Sequence, residues 1–220
     1  MIKHSARRAG VVAIAVVAGL LAAAAPALAD NPPGVASAGS ADFTKAGQQV
    51  VVPTQAPCSV EGPTSSSAPA VSANGIKFGA STSTCTTTVV DPENEVTTTK
   101  SEAKGKLFEL SALMTAGGAR MKVNSWTITC TATQTGTNAG WQVGGLTGFT
   151  GLPQQIPANY VYQVKKTGGV VLANVTFAEV TLPDPNDGSI AMNLMHFRFT
   201  PASGITGEVV IGAAACSPTP

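Results

Sequence analysis

The chain has 220 residues, of which 44% are hydrophobic, 11% charged and only 5% aromatic, with 23 Gly and 15 Pro. Thirteen Lys and Arg face twelve Asp and Glu; three of the basic residues fall in the first 29 positions, so the remainder carries −2. That balance offers no basic patch for nucleic acid or anionic lipid. Beyond the N-terminal segment no apolar run is long enough to span a membrane.

Residues 1–29 read as an export signal. Lys3, Arg7 and Arg8 give a positive start, residues 9–25 are apolar, and Ala27-Leu28-Ala29 is an Ala-x-Ala cleavage site. Cleavage before Asp30 leaves 191 residues, enough for one domain with a core. Residues 30–48 are rich in Pro, Gly, Ala and Ser and are expected to form a disordered linker. The folded domain is expected over 49–216, with 217–220 as a tail.

Within that domain, 49–53 is a first short strand and 54–69 a Pro- and Ser-rich loop. Asn74-Gly75 marks a turn, and 81–90 is a Thr-rich strand. After a turn at Asp91-Pro92-Glu93-Asn94, the polar strand 95–104 is expected at a sheet edge, where charge discourages pairing with other chains. Residues 106–116 fit helix or strand, and strand is favoured because Phe108, Leu110, Ala112 and Met114 make one apolar face. Residues 121–133 alternate clearly, with Trp126, Ile128 and Cys130 on the core face. Then come a loop at 136–140, a short strand at 141–143, a Gly- and Pro-rich stretch at 144–157 and a strand at 160–165.

The longest apolar pattern is 170–200, two strands joined by a tight turn around Asp184-Pro185-Asn186-Asp187-Gly188. Period-two counting places Phe177, Glu179 and Thr181 on one face of the first arm. In the second arm Ala191, Met195, Phe197 and Phe199 oppose Ile190, Met192 and Leu194. Both faces of that arm are apolar, which predicts a strand enclosed within layers. A loop at 201–207 and a last strand at 208–216 complete the chain. Strands at short intervals with Gly and Pro turns predict an all-β fold, an antiparallel β-sandwich, with a β-barrel as the alternative.

Four cysteines in an exported chain imply two disulfides. Three pairings are possible; Cys58–Cys85 and Cys130–Cys216 are favoured, the first pinning the early segment and the second tying the C-terminus to a central strand. A metal site is not expected, because no Cys-x-x-Cys spacing exists and His196 is the one histidine after processing. No cofactor is expected either.

His196 as a general base needs a nucleophile and an orienting acid, and its place between Met195 and Phe197 reads as structural. Asp184, Asn186 and Asp187 are one residue short of a calcium-loop start and read as a turn. Asp91, Glu93 and Glu95 read as solvated charge rather than a glycosidase pair. Trp126 reads as core. Trp141, Tyr160 and Tyr162 are the candidates for an exposed binding platform for sugars or peptides.

The stretches Trp126-Thr127-Ile128-Thr129-Cys130-Thr131-Ala132 and Val143-Gly144-Gly145-Leu146-Thr147 carry a family resemblance. So do the 172–199 hairpin, with Asp187-Gly188-Ser189 ahead of Asn193-Leu194-Met195-His196, and Gly207-Glu208-Val209-Val210-Ile211-Gly212-Ala213 ahead of Cys216. Together they resemble the actinobacterial choice-of-anchor P family. The resemblance implies an exported, mostly β protein of undefined activity, often held at the surface by a C-terminal sorting signal, and it brings no catalytic residue. No Leu-Pro-x-Thr-Gly motif precedes Pro220, so release or non-covalent association is expected. The function this predicts is a secreted, non-enzymatic protein of the cell envelope or extracellular space. Its role would be binding or structural, with a cell-wall or extracellular polymer as partner. The alternatives are a carbohydrate-binding module and a secreted hydrolase using His196 or a carboxylate pair.

Overall fold

The computed structural model describes residues 32–219; the expected leader 1–29, residues 30 and 31, and Pro220 lie outside them. Fourteen strands are described, in chain order. They are β1 (Gly34–Lys45), β2 (Gln48–Gln55), β3 (Cys58–Ser59), β4 (Ser65–Ala68), β5 (Val71–Ala73), β6 (Ile76–Phe78) and β7 (Ser81–Asp91). There follow β8 (Val96–Leu110), β9 (Met121–Thr133), β10 (Gly136–Gly144), β11 (Tyr160–Lys165), β12 (Val171–Thr181), β13 (Ile190–Phe199) and β14 (Ile205–Cys216).

They form two antiparallel sheets packed face to face, the expected sandwich rather than a closed barrel. The first runs β11-β12-β13-β14-β1-β2, with β3 sharing the outer edge of β1. The second runs β10-β9-β8, and the far edge of β8 is shared between β7 and β6, which carry β4 and β5. The predicted hairpin is present as β12 and β13, paired from Ala173↔Phe199 to Thr181↔Ala191. Between the sheets, Phe108 meets Phe78 edge-on and Phe197 at a tilt, with ring centroids 5.1 and 5.8 Å apart. Each such fully buried side chain contributes about 1.5–3 kcal/mol.

Both disulfides have the expected pairing, and each joins one sheet to the other. Cys58–Cys85 links β3 to β7, and Cys130–Cys216 links β9 to β14.

The linker expected at 30–48 is overturned where it is described. Residues 34–45 form β1, which pairs with β14 from Gly34 to Lys45 except at Ala38, and with β2 and β3 on its other edge. The small side chains that resembled a linker are required by packing. A Cβ on Gly34 would lie 2.7 Å from Thr99 Cγ2 and 2.8 Å from Val60 Cγ1. Among the described residues the fold therefore already includes Pro33, whose carbonyl accepts from Ser217 N, and does not wait for residue 49.

The edge position expected for 95–104 is also overturned, because β8 lies between β7 and β9. Its inward side chains are small or polar (Thr99, Ser101 and Ala103 are all buried), which is why the strand looked solvent-facing. Its outward charges pair locally, with Lys104 and Lys100 on Glu102 at 2.5 and 3.4 Å. Residues 106–116 divide: strand continues to Leu110, and Ala112–Ala116 is a short 3-10 helix closed by Gly117 at φ 86°. Met114, assigned to the apolar face, is exposed. Short strands also occupy parts of the expected loops at 54–69, 136–140 and 201–207, where β3, β4, β10 and the start of β14 fall.

A kink crosses the first sheet. Ala38, Gly212, Leu194 and Ala178 occupy one row, and that row is missing from every ladder it should join. Gly212 and Ala178 are left-handed there, at φ 61° and 44°. Burial changes phase across the row: Met192 and Leu194 point inward before it, Met195 and Phe197 after it. The two apolar faces read in β13 are therefore one inner face, interrupted by a phase shift. The second sheet repeats the device at Leu107, φ 56°, whose expected pairing with Asn124 is absent. There Phe108 and Leu110 continue the inner face begun by Ala103 and Gly105.

Candidate functional site

The kink builds a polar cluster on the outer face of the first sheet. Strict alternation would bury Glu179 beside Phe177. The left-handed turn at Ala178 swings it outward instead, next to His196 and Arg198 on the neighbouring strand. From the other side, β14 supplies Glu208.

His196 is buried and lies between two carboxylates. Its Nδ1 is 2.6 Å from Glu179 Oε2, and its Nε2 is 2.9 Å from Glu208 Oε2. Both partners are acceptors, so only the doubly protonated ring donates to both at once. Glu179 also accepts from Arg198 Nη2 at 2.5 Å and Asn193 Nδ2 at 3.1 Å, while Arg198 Nη1 reaches Thr176 Oγ1 at 3.4 Å. Partial burial works to raise the pKa of Glu179, but the hydrogen bonds from His196, Asn193 and Arg198 together outweigh it. They hold the carboxyl below its ordinary range.

The hydrogen bonds of both ring nitrogens end on carboxylates, and no hydroxyl is among their partners. A general base needs a free lone pair aimed at a proton, and a nucleophilic pair needs a hydroxyl or thiol on that nitrogen. The arrangement links β12, β13 and β14 through side-chain hydrogen bonds, with Glu208 on the solvent side at 58% exposure. Glu179 and Glu208 were not identified as partners from the sequence. The one signal for Glu179 was an acidic residue in an apolar strand whose paired neighbour carries Arg198.

Compared with protein-family models, with curated proteins and with solved structures, the chain matches none of them.

The aromatic candidates do not form the expected platform. Trp141 pairs with Ile128 and faces inward, half-buried against the core. Tyr160 and Tyr162 are likewise half-buried, on β11 at the edge of the other sheet, packed against Phe177 and Phe149. The two sets line different grooves, Trp141 beside Glu102 and Lys104, the tyrosines beside Gly148 and Thr150. Trp126 is core, as expected, with its indole lying over Gly105.

The acidic turns are held by their own side chains. Asn186 Oδ1 accepts from Gly188 N at 2.9 Å, and Asp187 Oδ1 from Ser189 N at 2.8 Å. Asp91 caps Glu93 N and Asn94 N, and hydrogen bonds led by the Asn94 side chain lower its pKa. Among the described residues no group of three His, Cys, Asp or Glu side chains is placed to hold a metal ion, and no helix is long and apolar enough to cross a membrane.

Proposed function

We propose that the chain is a secreted, non-enzymatic β-sandwich that binds or builds structure in the cell envelope or extracellular space. Its partner would be a cell-wall or extracellular polymer. The observation that carries this reading is the closed state of His196, whose two nitrogens are both taken by carboxylates. Two disulfides stapling the sheets suit an oxidising compartment. The resemblance to the choice-of-anchor P family supports the same assignment and an actinobacterial source.

The test is to incubate the disulfide-bonded chain from residue 30 with purified insoluble bacterial cell wall. The expected result is co-sedimentation with no release of soluble sugar or peptide. Release that disappears in a His196→Gln variant would overturn the reading, and so would protein that stays wholly in the supernatant.

A further inference from the structure

One edge of the first sheet is built to receive another strand. Among the described residues strand β11 pairs only with β12, and a groove of about 470 Å³ runs along its other side. Every residue from Tyr160 to Lys165 lines that groove. A pocket on either face of a strand would touch alternate residues only, whereas six consecutive ones place it along the backbone edge. No residue of β12 contributes to the lining. The far wall is formed by Ala119, Gly148, Thr150 and Gly151, and a Cβ on Gly151 would meet nothing within 4 Å.

The register shows which groups face the groove. Asn159 N donates to Ala178 O, so the hydrogen-bonded positions facing β12 are Asn159, Val161 and Gln163. By alternation, the N–H and C=O groups of Tyr162 and Val164 point into the groove. The loop forming the far wall is fixed rather than loose. Phe149 packs on Tyr162 and Phe177, Thr150 N donates to Tyr162 Oη at 3.0 Å, and Thr147 is bridged to Lys122 by two backbone hydrogen bonds. At one end stand Lys165 and Lys166; among the described residues neither has a carboxylate within ion-pair distance, a state they share with Lys45, Lys77 and Lys106, and the two are adjacent in the chain.

We propose that this edge binds an extended peptide segment of a partner by antiparallel strand addition. The segment would place apolar side chains on the inner side, opposite Tyr160, Tyr162 and Val164, and an acidic residue at its N-terminal end beside Lys165 and Lys166. Main-chain hydrogen bonds supply the affinity, and the alternating pockets with the lysine pair supply selectivity. This rests on the binding role proposed above and names its partner class.

The probe is acetyl-Glu-Val-Thr-Val-Thr-Val-amide, added to the disulfide-bonded chain from residue 30. Exchange of the Tyr162 and Val164 amide hydrogens is expected to slow by about ten-fold at saturation, as for newly paired strand amides. Two controls isolate the interaction. The same peptide N-methylated at its groove-facing amides should give no protection, and a Lys165→Glu/Lys166→Glu variant should bind it more weakly by about ten-fold. Unchanged exchange at both amides, equal binding of the N-methylated peptide, or protection of the same amides by self-association without peptide would overturn the proposal. Such a failure leaves the cell-wall sedimentation result standing, because that assay does not read β11.

Discussion

Removing the Cys130–Cys216 bridge should cost more than removing Cys58–Cys85. The perturbation is the double variant Cys130→Ala/Cys216→Ala, with Cys58–Cys85 left intact. The bridge closes 86 residues, for which loop-closure entropy gives about 4.6 kcal/mol, against about 3.5 kcal/mol for the 27 residues closed by Cys58–Cys85. Both residues of the longer bridge are fully buried, so alanine also leaves unfilled space. A domain of this size is stable by about 5–15 kcal/mol, so the loss is a large share of the total. Urea unfolding at neutral pH, followed by the fluorescence of Trp126 and Trp141, reads it directly. The midpoint should fall sharply, and the thermal transition should drop by about 9–18 °C. A loss under about 1 kcal/mol would show that the bond does not constrain the two sheets as described.

Two further outcomes are expected. Gly105→Ala places a methyl within the Trp126 ring, so it should destabilise by about 1–3 kcal/mol through overpacking, readable as a lower urea midpoint; an unchanged midpoint would contradict the packing. The folded pKa of Glu179 lies below its ordinary value of 4.5, so its stabilising contribution is complete above that value and is lost as the pH falls through the lower folded value. Stability measured from neutral to acid pH should fall on that limb, and more shallowly in Glu179→Gln; identical slopes in the two proteins would refute the linkage.

The parts of the fold legible in the sequence were long apolar or alternating runs bounded by turn signals. The stretch of β9 from Trp126 to Ala132 is one, and the β12–β13 pair with its Asx-stabilised turn is another, although the kink shifts the inner face within it. Strand β1 was illegible because close approach of the sheets selects Gly, Ala and Ser there, the composition of a linker. The kink was illegible because left-handed backbone at Ala178 and Leu107 carries no residue-type signal. Missing it put Glu179 on the wrong face and concealed the ion network. The disulfide pairing could be anticipated from spacing, but its role in joining the sheets required knowing that β1 and β3 lie opposite β7 and β8. The aromatic platform failed for the same reason as the linker: residue type near a Gly-rich loop says nothing about which face a half-buried ring takes.

The account depends most on His196 being enclosed rather than reactive. In the chain from residue 30 it is the one histidine, so formation of N-carbethoxyhistidine with diethyl pyrocarbonate reports on it alone. Its side chain is 8% exposed and both nitrogens are engaged, so modification has to await local opening and should run at least about ten-fold slower than for N-acetylhistidine. A rate equal to or faster than the free imidazole would place an open, nucleophilic histidine on this sheet and contradict the account.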